Sequence, residues 1–152
     1  MPQIDKLYLR DAAAHDAELL YRWRNDEMVR RNAFHTEQID FSEHLCWLEK
    51  TLNDPAAHIF IMMCGDIPAG QVRINERDEA YVISYSVGAE FRGHGCGARM
   101  LTLLENRMRS RGIGGVLVAQ VKKENTPSRR TFEKLGYQCE EEHYYYSYTK
   151  RL

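Results

Sequence analysis

The sequence predicts a single α/β domain of the α+β type over residues 1–152, with a mixed, mostly antiparallel central sheet of about six or seven strands flanked by about four helices. Three observations lead there. Residues 58–64, 70–75 and 81–87 are successive β-rich runs parted by turn chemistry, Gly65-Asp66-Ile67-Pro68 and then Glu76-Arg77-Asp78-Glu79, as in an antiparallel meander. A glycine-rich turn over residues 93–97 opens a segment in which Met100, Leu101, Leu104 and Met108 recur at steps of three and four, the period of an amphipathic helix. Extended and helical patterns then alternate once more toward the C-terminus.

The elements follow in chain order. Residues 4–10 alternate apolar and polar side chains and predict a first strand. Residues 14–31 place Leu19, Leu20, Trp23 and Met28 near helical spacing, with Asn25-Asp26 as the point where that helix divides. Ser42 is a candidate N-cap for a helix that carries Leu45, Leu48 and Leu52 on one face and ends near Asn53-Asp54-Pro55. The glycine-opened helix closes at Arg109, Arg111 and Gly112. Residues 116–121 read as a strand, and Thr126-Pro127 as an N-cap with proline at the first helical position, opening a short helix that Gly136 ends. Tyr137 and residues 144–149 supply one or two closing strands.

Size and composition exclude several classes. A chain of this length buries roughly 68–70% of its unfolded surface, enough for a core without disulfide staples. With 43% hydrophobic and 28% charged residues it is an ordinary globular composition, and a formal charge of −1 gives no general attraction for nucleic acid or anionic membranes. No partner of either kind is expected. The N-terminus lacks a signal-peptide pattern and no run approaches the ~20 apolar residues of a membrane span, so the expected location is cytoplasmic. Cys46, Cys64, Cys96 and Cys139 form no C-x-x-C pair and the six histidines no H-E-x-x-H, so reduced thiols and no metal site are expected. The sequence is compatible with a homo-oligomer but does not specify one.

The chemistry concentrates in residues 87–98. There a strand runs through Val87 into Arg92-Gly93-His94-Gly95-Cys96-Gly97-Ala98 and on into a helix. Inward-turned amides at a helix N-terminus form an anion nest to which the helix dipole adds about half a positive charge, and glycines allow close approach by a pyrophosphate. Arg92 adds a candidate charged donor at the rim. A Walker loop is excluded by the missing lysine and hydroxyl residue. The G-x-G-x-G run after an antiparallel meander fits a dinucleotide fingerprint poorly. A plain strand-to-helix turn with no ligand stays open at this point.

Arg92, Gly95 and Gly97 match the coenzyme A pyrophosphate motif of the GCN5-related N-acetyltransferase (GNAT) superfamily: glutamine or arginine, two residues, glycine, one residue, then glycine or alanine. Downstream, Val121, Asn125, Ser128, Phe132 and Glu133-Lys134-Leu135-Gly136-Tyr137 fall at the spacing of that family's next segment, so nearly the whole chain resembles it. The resemblance implies the GNAT fold and acetyl transfer from acetyl-coenzyme A to a primary amine. It implies cofactor contacts from Val87, Arg92, Gly93, His94, Gly95, Cys96, Gly97, Ala98, Asn125, Ser128 and Phe132, with Asn125 also the one catalytic candidate. The N-terminal third resembles the amino-sugar-nucleotide acetyltransferases of the pseudaminic acid type, which implies a small-molecule amine on a nucleotide-linked amino sugar, met by Trp23, Arg24, Asn25, Arg30 and His44. A ribosomal-protein type N-terminal acetyltransferase and a non-catalytic acyl-coenzyme A sensor are the alternatives. In the plainer reading Trp23 and Trp47 are core aromatics, His44 a helix-face residue, and Arg24 and Arg30 members of solvated ion pairs. Many relatives carry a glutamate where this chain has Val82, and a tyrosine acid where it has Phe132. Neither the general base nor the general acid is therefore identified, with Glu76, Glu79 and His44 as candidate bases.

Overall fold

The computed structural model describes residues 6–152; Ile4 and Asp5, where the predicted first strand begins, lie outside the described residues. In chain order the elements are β1 (Leu7–Asp11), a 3-10 turn (Ala14–Asp16), α1 (Ala17–Arg24), α2 (Glu27–Asn32), α3 (Phe41–Leu52), β2 (Ala57–Cys64), β3 (Ile67–Arg77) and β4 (Ala80–Val87). A second 3-10 turn (Ala89–Phe91) then leads to α4 (Cys96–Ser110), β5 (Val116–Lys122), α5 (Thr126–Lys134), β6 (Gln138–Glu141) and β7 (Tyr145–Arg151). The predicted helix over 14–31 is two helices because the Asp26 carboxylate accepts from the amides of Met28 and Val29, capping a new helix at that point.

One seven-stranded sheet runs in the order β1-β2-β3-β4-β5-β7-β6. Every neighbouring pair is antiparallel except β4 and β5, which run parallel. The side-chain period of two divides the core. On one face Phe60, Met62, Val72, Ile74, Ile83, Leu117, Ala119 and Val121 pack under the buried stripe of α4, Met100, Leu101, Leu104 and Met108. On the other, Ile59, Ile61 and Met63 of β2 meet Ala17 and Leu20 of α1 and Leu48 of α3. That second face carries a helical layer over β2 only in part, and the layer ends before β4 and β5, where Ser84 and Gln120 are exposed. No helix of the described residues is long and apolar enough to cross a membrane. Among them there is also no group of three or more His, Cys, Asp or Glu placed to hold a metal ion.

A bidentate pair fixes the entry to α1. Arg10 donates to both oxygens of buried Asp16 at 2.8 Å each, and Asp16 also accepts from the amide of Ala13 at 2.8 Å. The Arg10 hydrogen bonds, over the opposing effect of burial, hold the Asp16 carboxyl below the usual carboxylate range. A depressed folded-state pKa contributes stability that is complete above the unfolded value of ~3.9 and is lost as pH falls further through the folded value. Asp16→Asn is therefore expected to reduce stability at neutral pH by ~2–3 kcal/mol and to flatten the loss of stability below pH ~4, as urea titrations across pH will register. Equal pH profiles for variant and parent would contradict this assignment.

Candidate active site

The parallel pair β4–β5 is joined only where Ala80–Val82 faces Val116–Val118. Both strands continue past that point, β4 to Val87 paired with β3 and β5 to Lys122 paired with β7. Residues 83–87 and 119–122 therefore border a wedge within the sheet. The Gly88 amide donates to the Ala69 carbonyl at 2.7 Å, which sets the antiparallel alternation. Counting back along the register, residues 84 and 86 exchange bonds with β3, while the main-chain groups of Ile83, Tyr85 and Val87 point into the wedge. Such outward groups need partners when a cleft is filled.

At the mouth of the wedge stands the N-terminus of α4. Gly95, its N-cap, is left-handed at φ 75°, and Gly93 is also left-handed at φ 79°. A Cβ built at either would meet nothing within 4 Å, so the cradle is open where a pyrophosphate would enter. The helix has no side-chain cap and no acid in its first turn, and the first-turn amides of Cys96, Gly97 and Ala98 have no intrahelical acceptor. Cys96 and Ala98 are buried and anchor the turn, their contribution to a ligand being the backbone; burial also pushes the Cys96 thiol up. Gly97 is needed for another reason, since a Cβ there would lie 3.3 Å from the Tyr85 ring. His94 is exposed at the rim. These features fit a coenzyme A pyrophosphate and pantetheine arm laid across the helix terminus and along β4.

Arg92 corrects one expectation. Its Nη2 donates to Asp26 Oδ2 at 2.8 Å and its Nε to the Val87 carbonyl at 3.0 Å, so the guanidinium braces the glycine loop against α2 instead of standing at the rim. Burial works against the Asp26 charge, but the Arg92 bond and the two capping amides outweigh it and keep the carboxyl below its ordinary pKa. The Val87 carbonyl is thereby occupied and its amide left facing the wedge.

Across the wedge, Asn125 caps α5 by accepting from the Ser128 amide at 3.3 Å. Ser128 is buried and its hydroxyl accepts from Tyr85 Oη at 3.0 Å, so its role is to hold Tyr85 and not to line an open surface. Phe132 is 1% exposed and packs among Tyr85, Tyr137 and Tyr148 with ring centroids 5.8, 5.0 and 5.4 Å away. It is a core residue, which corrects its expected place beside the cofactor: residue 132 faces into the α5–sheet layer.

The predicted acceptor residues separate. The Trp23 indole Nε1 lies 3.4 Å from the point a Cβ on Gly88 would occupy, which brings α1 to the end of β4. The Arg24 guanidinium is 5.0 Å from the centroid of the Trp47 ring, with burial lowering its pKa. Asn25 instead clamps the following loop, donating to the Ile39 carbonyl and accepting from the Ile39 amide, and Arg30 donates to the Thr36 carbonyl at 3.1 Å. His44 is 0% exposed, its Nε2 donates to the Ala17 carbonyl at 3.0 Å, and burial lowers its pKa; it is a core residue of the α1–α3 contact, neither substrate contact nor base. Glu76 and Glu79 sit at the β3–β4 hairpin turn. Seven residues of strand, roughly 23 Å, separate that turn from Val87, so neither carboxylate reaches Val87.

Sequence reasoning missed Tyr85, Asp26 as the partner of Arg92, and Arg73. The alternation of β4 was the available signal for Tyr85, because it places residue 85 on the same face as Ile83 and Val87.

A comparison with protein-family models matches residues 17–137 to the acetyltransferase (GNAT) family. The chain belongs to that family. GNAT membership makes it an acetyltransferase, and the seven-stranded, mostly antiparallel sheet with its five helices is the GNAT fold. Among solved structures it is similar to the ribosomal L7/L12 α-N-protein acetyltransferase RimL in complex with coenzyme A, with TM-score 0.83, 16% identity, and 97% of this chain and 94% of that one covered. It is similar to spermidine N-acetyltransferase from Vibrio cholerae in complex with coenzyme A and spermine, with TM-score 0.82, 16% identity, and 97% and 95% covered. Aminoglycoside acetyltransferase AAC(6')-Ib in complex with coenzyme A follows at TM-score 0.81, 16% identity, and 95% and 94% covered. No curated protein matches the sequence.

Proposed function

We propose that this GNAT protein transfers the acetyl group of acetyl-coenzyme A to the primary amine of a nucleotide-linked amino sugar. The observation that carries the cofactor half is the wedge between β4 and β5 with the uncapped α4 terminus at its mouth. Acetyl-coenzyme A supplies a thioester whose C–S bond breaks as the C–N bond to the amine forms, releasing the thiol. The amides of Gly93 to Ala98 hold the pyrophosphate, and the outward main-chain groups of Tyr85 hold the arm. The Val87 amide donates to the carbonyl oxygen as negative charge develops there, a preorganised donor whose removal typically costs ~3–4 kcal/mol. Tyr85 Oη, positioned 3.0 Å from Ser128 Oγ, turns its one proton from Ser128 to the departing sulfur, and the Ser128 hydroxyl then donates to it instead. The amine enters over the opposite face, past Trp23 at Gly88.

The acceptor half rests on the resemblance of the N-terminal third to the amino-sugar-nucleotide branch and on Arg24, which has no ion-pair partner among the described residues. A panel comparing kcat/KM for nucleotide-linked amino sugars, the same sugars without the nucleotide, peptides with a free α-amine, and spermidine tests it. The nucleotide-linked sugar is expected to lead. A peptide that outruns every sugar would overturn the acceptor assignment and favour the N-terminal acetyltransferase reading.

A further inference from the structure

Three arginines converge on the sheet face that carries α1 and α3, and none is in an ion pair among the described residues; the nearest carboxylates are Glu43, whose charge acts on Arg24, and Asp54 and Glu76 beside Arg73 and Arg77. Arg73 of β3 projects from the face that also carries α1 and α3, and its guanidinium, like that of Arg24, lies 5.0 Å from the centroid of the Trp47 ring. Arg73 Nε is sealed from solvent with no hydrogen-bond partner. Arg24, Arg73 and Arg77 make no ion pair with any described residue. A cavity of about 270 Å³ opens beside Arg73 and Arg77, lined also by Trp47, Asp54, Ala56, Asn75 and Glu76. The two carboxylates at that cavity do not neutralise Arg73: Asp54 turns back to accept from the Ala56 amide at 2.9 Å, and Glu76 is exposed. Burial, with the charges of Arg24 and Arg77 added, pushes Arg73 down to about 10. A cation held beside two others, with an unused donor and an aromatic wall, is relieved by an anion.

We infer that Arg73, with Arg24 and Arg77, forms a binding site on Trp47 for an anionic group of the acceptor, a phosphate or a carboxylate. The inference rests on the acetyltransferase reading only in taking the ligand to be the acceptor. Arg73 stands opposite Ser84, four strand residues from Gly88, roughly 13 Å along the sheet. An amine delivered at Gly88 and an anion seated at Arg73 thus belong to one extended molecule, longer than a free amino sugar. A polycationic acceptor such as a polyamine would meet three guanidinium groups that are in no ion pair among the described residues and is disfavoured.

The test uses the full chain saturated with coenzyme A, so that the helix-terminus nest is filled, and follows the Arg73 Nε–H NMR signal while inorganic pyrophosphate or succinate is added. Saturable movement is expected, with the stronger of the two anions naming phosphate or carboxylate as the group. Arg24→Gln and Arg77→Gln should each weaken the midpoint by about tenfold or more, in keeping with the loss of a charge-assisted donor, and Arg73→Gln, which removes the observed signal, should weaken binding as much when pyrophosphate is titrated by calorimetry. Arg73→Met supplies a folding control. Removing an unpaired, desolvated charge leaves the melting temperature of the anion-free protein unchanged or higher and abolishes its rise with pyrophosphate. No saturable movement with either anion overturns the site while leaving coenzyme A binding, measured on the same sample, to speak for the acetyltransferase reading. A lower melting temperature for Arg73→Met together with an undiminished pyrophosphate response in the variant also overturns it, since Arg73 would then be only a packing residue.

Discussion

Gly95→Asp is expected to weaken coenzyme A binding by at least ~100-fold, whereas Gly95→Asn is expected to weaken it by less than ~10-fold. The pair separates charge from backbone strain. Gly95 is left-handed, a conformation that costs an ordinary residue roughly 1–2 kcal/mol but that asparagine and aspartate tolerate well. No described atom obstructs a side chain there, so neither variant is expected to unfold the helix terminus. A carboxylate about 4 Å from one pyrophosphate charge, at the effective dielectric of a protein surface, opposes binding by about 4 kcal/mol, nearly three decades in affinity. Direct titration of both variants, with melting temperatures taken alongside, decides the matter. Equal affinities for the Asp and Asn variants would place the phosphates elsewhere.

Tyr85→Phe is expected to lower kcat by ~10- to 100-fold with KM for acetyl-coenzyme A nearly unchanged, the signature of a donor used in the transition state. The effect is bounded because a thiol of pKa ~8.5 leaves unprotonated at a penalty of only about 2 kcal/mol at neutral pH. Burial raises the Tyr85 pKa beyond that of an ordinary tyrosine despite its bonds to Ser128 and Thr131, which favours the protonated hydroxyl that a donor needs. The C-terminal tyrosines serve as controls. Tyr148 is buried and donates to Glu133, Tyr146 lies under Arg129 at 4.2 Å, Tyr145 packs on Phe34, and Tyr144 is exposed. Each of these changed to phenylalanine should retain activity. A loss of ~10³-fold in kcat for one of them, with the fold intact, would move the acid to the tail and refute the role given to Tyr85.

The strands and helices were legible because hydrophobic period and turn residues are local signals, and the glycine turn at 93–97 announced its helix. The wedge was not legible. Whether β4 and β5 pair along their whole length depends on how two strands from different parts of the chain diverge, which neither strand's own sequence encodes. Residues with a polar group and a motif position were over-assigned for the same reason. Arg92 looked like a ligand until Asp26, sixty-six positions away, was seen to hold it. His44 looked like a base until helix packing sealed it against Ala17. Phe132 kept its motif spacing but turned into the core, and Tyr85, with no motif to mark it, stands between the first turns of α4 and α5.

Amide hydrogen exchange with and without saturating coenzyme A tests the placement of the site most directly, because the proposed contacts are largely main-chain. The account predicts new protection at Tyr85, Val87 and the amides from Gly93 to Ala98, extending to the first turn of α5, with no change at His44 or the β3–β4 turn. Protection confined to other segments, or none in a folded sample that binds the cofactor, would contradict it.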